Sequence, residues 1–185
     1  MNVQIRNDYY RMTGEEYRFG IRSVLDFILK HQIRYMFWWR KANKKKNPLY
    51  RVILYKYSRK YGLEISTSAE IGQGLYLGHP YNITVGAGVK IGNNVNLHKG
   101  CTIGRENRGK RLGTPIIGDN VYVGINATIV GNVQIGDDVM IAPGSFVNFD
   151  VPEHSIVLGN PGNIYKKENA TMGYVAHCVE KDFVC

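Results

Sequence analysis

Broken every six residues, positions 117–148 read IGDNVY VGINAT IVGNVQ IGDDVM IAPGSF VN. Ile117, Val123, Ile129, Ile135, Ile141 and Val147 head the blocks. The residue after each is Gly118, Gly124, Val130, Gly136, Ala142 or Asn148, mostly small. Four places after each anchor stand Val121, Ala127, Val133, Val139, Ser145 and Val151. A six-residue period matches neither the 3.6-residue turn of a helix nor the two-residue alternation of a strand. It matches one short strand followed by one tight turn. The aliphatic anchor points inward, and the next residue is small where the chain turns a corner. Three such units close a triangular coil, and stacked coils pair their strands about 4.8 Å apart. The pattern predicts a mainly β protein, a parallel β-helix.

The same anchors recur upstream at Ile65, Ile71, Leu77 and Ile83, then at Val85, Ile91, Leu97 and Ile103. These two tracks are out of phase by two residues, which reads as a local bulge. Fourteen anchors in all predict between four and five coils. The pattern stops between Gly104 and Pro115, where the intervening stretch RENRGKRLGT (105–114) has no anchor and four basic residues. That stretch must leave the coil, and long loops on tight scaffolds are commonly functional.

Composition divides the 185-residue chain at the same place as the repeat. Of 21 glycines, residues 1–61 hold 2 and residues 63–185 hold 18. Residues 1–64 carry 15 Lys/Arg against 5 Asp/Glu, and residues 65–185 carry 9 against 10. The overall net charge of +9 is therefore an N-terminal property. The expected organisation is a basic helical segment over 1–62, the β-helix over 63–165, and a tail over 166–185 without repeat or motif. No apolar run of about 18 residues predicts a membrane span, and no signal peptide is legible at the N-terminus. Cys101, Cys178 and Cys185 are few and lack Cys-x-x-Cys spacing. They argue against a disulfide framework and for a reducing cytoplasm.

In the N-terminal segment, Thr13-Gly14-Glu15-Glu16 has capping-box spacing, with Thr13 as N-cap. Tyr17, Ile21, Val24, Leu25 and Ile28 then predict a helix running to about Met36. Pro48, after Asn47, starts a second helix that Gly62 ends. Between them, residues 34–46 are basic and aromatic. One reading packs the aromatics against the base of the β-helix and leaves the lysines solvated. The other attaches this stretch, through Trp38 and Trp39, to an anionic membrane or an acidic polysaccharide. Nothing resembles a groove-reading motif, so nucleic acid is not expected.

His79 follows anchor Leu77 by two places, near a corner, where it can face outward. Glu64 lies fifteen residues earlier and a coil holds about eighteen, so it falls close in projection, within reach of the imidazole. A carboxylate there would fix the tautomer and leave the other nitrogen to take a proton. His98 occupies a small-residue place and reads as structural or secondary. His31, His154 and His177 have no partners that spacing identifies. Cys101 takes an inward place and reads as core. A hexapeptide β-helix can also carry a zinc site of the γ-carbonic anhydrase type, but its His-x4-His pair is missing, so no metal is expected.

LEISTSAEIG (63–72), LGHPYNI (77–83) and LGNPGNI (158–164) resemble bacterial serine acetyltransferases, and among them the short capsule and exopolysaccharide acetyltransferases. The resemblance implies a left-handed β-helix, a homotrimer, and acetyl-CoA held in the groove between subunits. It implies a dyad in which Glu64 supports His79. It places acetyl-CoA contacts at Gly104, Arg105, Ile125 and Pro143, with Lys166 and Lys167 toward the nucleotide phosphates. Two departures stand out. The family's aspartate before the histidine is replaced by Gly78, and its Arg-His before the loop-closing proline by Gly113-Thr114. Those groups hold the amino acid's ammonium and carboxylate. Their loss implies a larger, neutral hydroxylic acceptor, a sugar or polysaccharide precursor, with Thr114 and Arg111 at the acceptor; Arg108, Lys110 and Arg111 would suit an acidic sugar or a lipid-linked phosphate. The expected activity is acetyl-CoA-dependent O-acetylation by His79 general-base catalysis. Serine O-acetylation is the alternative, and a non-catalytic trimeric scaffold is the alternative of another class. The expected location is the cytoplasm, peripheral to the inner membrane face.

Overall fold

The computed structural model describes residues 2–44 and 47–179. Four helices come first: α1 (Val3–Thr13), α2 (Ile21–Leu29), α3 (His31–Lys44) and α4 (Pro48–Tyr61). Thr13 ends α1 rather than capping a following helix, a correction to the capping-box reading. Gly14, at φ 74°, closes α1, and the Thr13 hydroxyl donates back to the Tyr9 carbonyl at 2.8 Å. The expected helix to Met36 is two helices, because the backbone turns extended at Lys30. Its apolar spacing survives in α2, yet Leu25 and Ile28 face solvent. The second expected helix is found as α4. Asn47 Oδ1 accepts the Leu49 N–H at 2.9 Å, Pro48 is the first helical residue, and Gly62 closes the helix at φ 66°.

The remainder winds into a parallel β-helix with three sheets. Sheet A stacks β1 (Glu64–Ile65), β4 (Thr84–Val85), β7 (Thr102–Gly104), β10 (Thr128–Val130) and β13 (Phe146–Val147). Sheet B stacks β2 (Glu70–Ile71), β5 (Lys90–Ile91), β8 (Ile116–Ile117) and β11 (Gln134–Ile135). Sheet C stacks β3 (Tyr76–Gly78), β6 (Asn96–His98), β9 (Tyr122–Val123), β12 (Val139–Ile141) and β14 (Ser155–Leu158). An antiparallel strand, β15 (Asn163–Lys166), folds back over β14 at the top.

Register accounts for the phase slip. Val85 pairs with Ile103 and Ile129 with Val147, each 18 residues on, the regular coil. Ile65 pairs with Val85, 20 residues on, so the first coil carries two extra residues. They sit in the corner at His79–Asn82, between β3 and β4, and not in a strand bulge. Ile83 is therefore no anchor. It lies two places before Val85, in the second inward column with Val89, Val95 and Cys101, all fully buried.

An open β-helix end exposes unpaired backbone, and α3 covers it. Tyr35 Oη donates to the Leu63 carbonyl at 3.0 Å, and Trp39 Nε1 to the Ile65 carbonyl at 3.1 Å. Asn43 Nδ2 reaches the carbonyls of Thr67 and Ala69. Tyr35, Met36 and Trp39 are buried in one continuous core with the coil anchors. One part of the membrane reading of 34–46 is corrected: Trp39 is wholly enclosed and cannot enter an interface, while Trp38 packs partly into the core. Lys45 and Lys46 lie outside the described residues, as does Cys185.

The tail has a definite path. Asp138 accepts from the Ala170 and Thr171 N–H groups and the Thr171 hydroxyl, and Asn96 Nδ2 donates to the Tyr174 carbonyl. Residues 170–175 are thereby pinned along sheet C. Cys101 is a free, buried thiol that burial pushes up to about 12, so it is core and not a nucleophile. Cys178 is disulfide-bonded, which its spacing did not signal.

Candidate active site

His79 sits in the enlarged corner where sheet C gives way to sheet A. It is exposed and holds a left-handed conformation at φ 48°, as does Asn82 at φ 54°. The Tyr81 N–H donates to the His79 carbonyl at 2.8 Å, which tightens the turn. Pro80 beneath is buried, and its carbonyl lies 3.2 Å from His31 Nε2. The His31 ring stacks on Tyr61 at 4.2 Å and contacts Tyr81 at 5.1 Å. The Asn82 N–H donates to the Tyr61 carbonyl at 3.1 Å. Burial lowers the His31 pKa, which favours the neutral ring that donates to Pro80. The helical segment thus holds the His79 corner in place. Sequence reasoning missed His31, because its partner lies 49 residues away and no local pattern announces it.

The corner continues upward as one edge of the prism. The Lys99 N–H donates to the Gly78 carbonyl, the Asn126 N–H to Lys99, and the Gly144 N–H to Ile125. His79, Lys99, Ile125 and Pro143 are therefore successive levels of the same edge, all exposed. Lys99 was not anticipated; only the coil register aligns it with His79.

Glu64 begins β1 in sheet A, exposed, one coil below Thr84. No hydrogen bond joins it to His79, contrary to the expected contact, although both flank the corner between sheets C and A. The two extra corner residues set the projection from an 18-residue coil off. Among the described residues, an imidazole–carboxylate hydrogen bond forms instead between His154 Nδ1 and Asp138 Oδ2 at 2.8 Å. Asp138 raises the His154 pKa, and the pair clamps the tail at the corner between sheets B and C.

His98 lies directly above Gly78, paired in register across β3 and β6. A methyl group on Gly78 would come within 2.4 Å of the His98 ring. That ring is wedged between Tyr122, at 4.6 Å, and Tyr76, at 6.1 Å, and its Nε2 is buried without a partner. Burial, and secondarily the charge of His79, pushes His98 down to about 4, so it stays neutral. Gly78 is thus the accommodation that His98 requires. Gly78→Ala is expected to cost about 1–3 kcal/mol by overpacking. His98→Ala in the same chain should recover most of that loss, which a double-mutant cycle of unfolding midpoints would read.

The other expected contacts fall on different edges. Gly104 and Arg105 stand where sheet A meets sheet B, at the root of the 105–115 loop. The loop is ordered: Glu106 and Gly113 exchange two backbone hydrogen bonds at 3.0 Å, around a 3-10 turn at Gly109–Arg111. Arg111 pairs with Asp150 at 3.2 Å, and the Thr114 hydroxyl donates to the Gly88 carbonyl at 3.0 Å. Both groups proposed for the acceptor already have partners. Arg105, Arg108 and Lys110 are exposed and form no ion pair among the described residues. Lys166 and Lys167 lie at the corner between sheets B and C, beside His154, whose carbonyl accepts the Lys167 N–H at 2.8 Å. One chain therefore does not bring these lysines to the Ile125–Pro143 edge. Among the described residues, no three His, Cys, Asp or Glu gather as a metal site would need.

The family model described as bacterial transferase hexapeptide (six repeats) matches residues 114–148. A serine acetyltransferase of Staphylococcus xylosus is 34% identical over 156 residues, covering 83% of this chain and 68% of that protein. Serine acetyltransferase 2 of Arabidopsis thaliana is 40% identical over 111 residues, 59% of this chain and 34% of its own length. The crystal structure of Neisseria gonorrhoeae serine acetyltransferase in complex with serine superposes with a TM-score of 0.70 at 29% identity. That match covers 88% of this chain and 66% of the other, so the chain spans about two thirds of the length of such relatives.

Proposed function

The chain belongs to the serine acetyltransferase family of hexapeptide-repeat transferases, and on that premise we propose that it acetylates the hydroxyl of L-serine from acetyl-CoA. The observation that carries the reading is the placement of His79. It is an exposed imidazole, fixed in a strained corner by buttressing from α3 and α4, on an edge continuous with Ile125 and Pro143. His79 takes the proton of the acceptor hydroxyl as the oxygen attacks the thioester carbonyl. The tetrahedral adduct collapses by breaking the carbon–sulfur bond, and the departing thiolate takes the proton from the imidazolium. Glu64 stabilises that imidazolium from across the corner, and backbone N–H groups receive the oxyanion.

The His79 edge and the Gly104–Arg105 edge bound opposite ends of sheet A. A groove using both forms where one copy's edge meets another's, so the active form is proposed as a homotrimer. Arg105, Arg108 and Lys110 then project toward the neighbour's His79, and acetyl-CoA lies between Gly104 and Arg105 of one copy and the edge that carries Ile125 and Pro143 in the next. The proposed location is cytoplasmic.

A second reading, a sugar hydroxyl as acceptor, is favoured by one observation. Position 78 has no room for an acid beneath His98, and positions 113 and 114 offer no cation for a zwitterion's carboxylate. The relatives support serine over this reading. Parallel assays with acetyl-CoA and either L-serine or a panel of sugars decide between them. Saturation by serine at millimolar concentration, with O-acetylserine as product, is expected. Turnover of a sugar and none of serine would overturn the acceptor while leaving the acyl transfer in place.

A further inference from the structure

From Phe27 to Leu63 the chain carries eleven Lys/Arg and not one Asp or Glu. Some of this charge is consumed within the fold. Arg40 pairs with Asp8, and Arg34 donates to the Phe27 carbonyl. Lys30 pairs with Asp26, and four of the other cations lie on α4, whose Arg51, Lys56, Arg59 and Lys60 are exposed and form no ion pair among the described residues. The same helix turns Leu49, Val52 and Tyr55 outward, at 60%, 65% and 64% exposure. Its opposite side supplies Leu54, Tyr50, Tyr57 and Tyr61 to the core. α4 is thus anchored on one face and basic and apolar on the other.

We propose that the outer face of α4 docks on an anionic lipid bilayer, with Leu49, Val52 and Tyr55 entering the interface and Arg51, Lys56, Arg59 and Lys60 meeting headgroup phosphates. A helix of this composition lies in the plane of the interface, held by both apolar burial and attraction to anionic lipid. A second copy is a poor occupant. An isologous contact would set four unpaired cations against four more. A soluble polyanion would use the cations but has no use for the three apolar side chains. The docked helix leads through Tyr61 and His31 to the His79 corner, so the bilayer would lie near the active site.

The test is sedimentation of the full chain with phosphatidylcholine vesicles, with and without phosphatidylglycerol. Binding is expected only with phosphatidylglycerol, and it should fall as salt is raised. Lys56→Gln/Arg59→Gln/Lys60→Gln should weaken it about a hundredfold, at about fivefold per cation. Leu49→Ser/Val52→Ser/Tyr55→Ser should weaken it about tenfold or more. Both variants should keep their circular dichroism and acetyl-transfer rate. Equal binding to neutral vesicles, or no binding by the unaltered chain, would overturn the proposal. So would full binding by the serine variant, the mark of a polyanion site. A drop in oligomer mass in either variant would assign the face to a second copy instead.

Discussion

His79→Ala is expected to lower the rate of acetyl transfer about 10²–10⁴-fold, the usual cost of losing a general base. The loss should appear in kcat at saturating acetyl-CoA and acceptor. Stability should change little, because the imidazole is exposed and makes no hydrogen bond among the described residues. The backbone at this position is left-handed, at φ 48°, which asparagine tolerates better than alanine. His79→Asn therefore separates chemistry from strain: it should be as inactive as the alanine variant and melt at the temperature of the unaltered chain. A variant that turned over near-normally would remove His79 from the mechanism.

Arg40→Met is expected to destabilise the fold by about 3–5 kcal/mol, because it strands one partner of a buried ion pair. Arg40 is 4% exposed and Asp8 2%. Arg40 Nε and Nη2 donate to the Asp8 carboxylate at 2.8 and 3.0 Å, and Nη1 donates to the Ile71 carbonyl at 2.7 Å. Asp8 in turn accepts the Leu75 N–H at 3.0 Å. This cluster joins α1, α3 and the first coil, so its loss leaves a buried carboxylate without its cation and the Ile71 and Gly72 carbonyls without their donor. Urea unfolding reads the loss as a lower midpoint. Lys44→Met, exposed on the same helix, is the control and should stay within about 0.5 kcal/mol.

The solenoid was legible because its period is written in a strict row of anchors, and each anchor from Ile117 to Val147 is buried where the repeat places it. The phase slip was legible as a position but not as a shape. Two extra residues widen the corner at His79 instead of bulging a strand, and only strand register distinguishes the two. Helix α4 was legible from Asn47, Pro48 and Gly62, whose effects are local. Thr13 misled because a threonine followed by acids looks alike at either end of a helix; Gly14 in a left-handed conformation decides it. His31, Lys99 and the His98–Gly78 contact depend on neighbours one coil or more away. Gly78 shows the limit clearly: in sequence it is a missing acid, and in the structure it is the space that His98 fills.

The proposed acceptor, serine, needs a partner for its carboxylate. Lys99 stands one level above His79, and Arg105, Arg108 and Lys110, which form no ion pair among the described residues, stand on the opposite edge of sheet A, which the proposed trimer would bring to a neighbour's His79; positive charge would then be available to a carboxylate from groups other than those the family resemblance names. The most direct test is acceptor-dependent release of free thiol from acetyl-CoA by the unaltered chain, with L-serine varied across the millimolar range. Saturable release that His79→Asn abolishes is the predicted result. Release no faster than background hydrolysis with serine and with every sugar tried, from a folded and trimeric protein, would contradict acetyl transfer altogether.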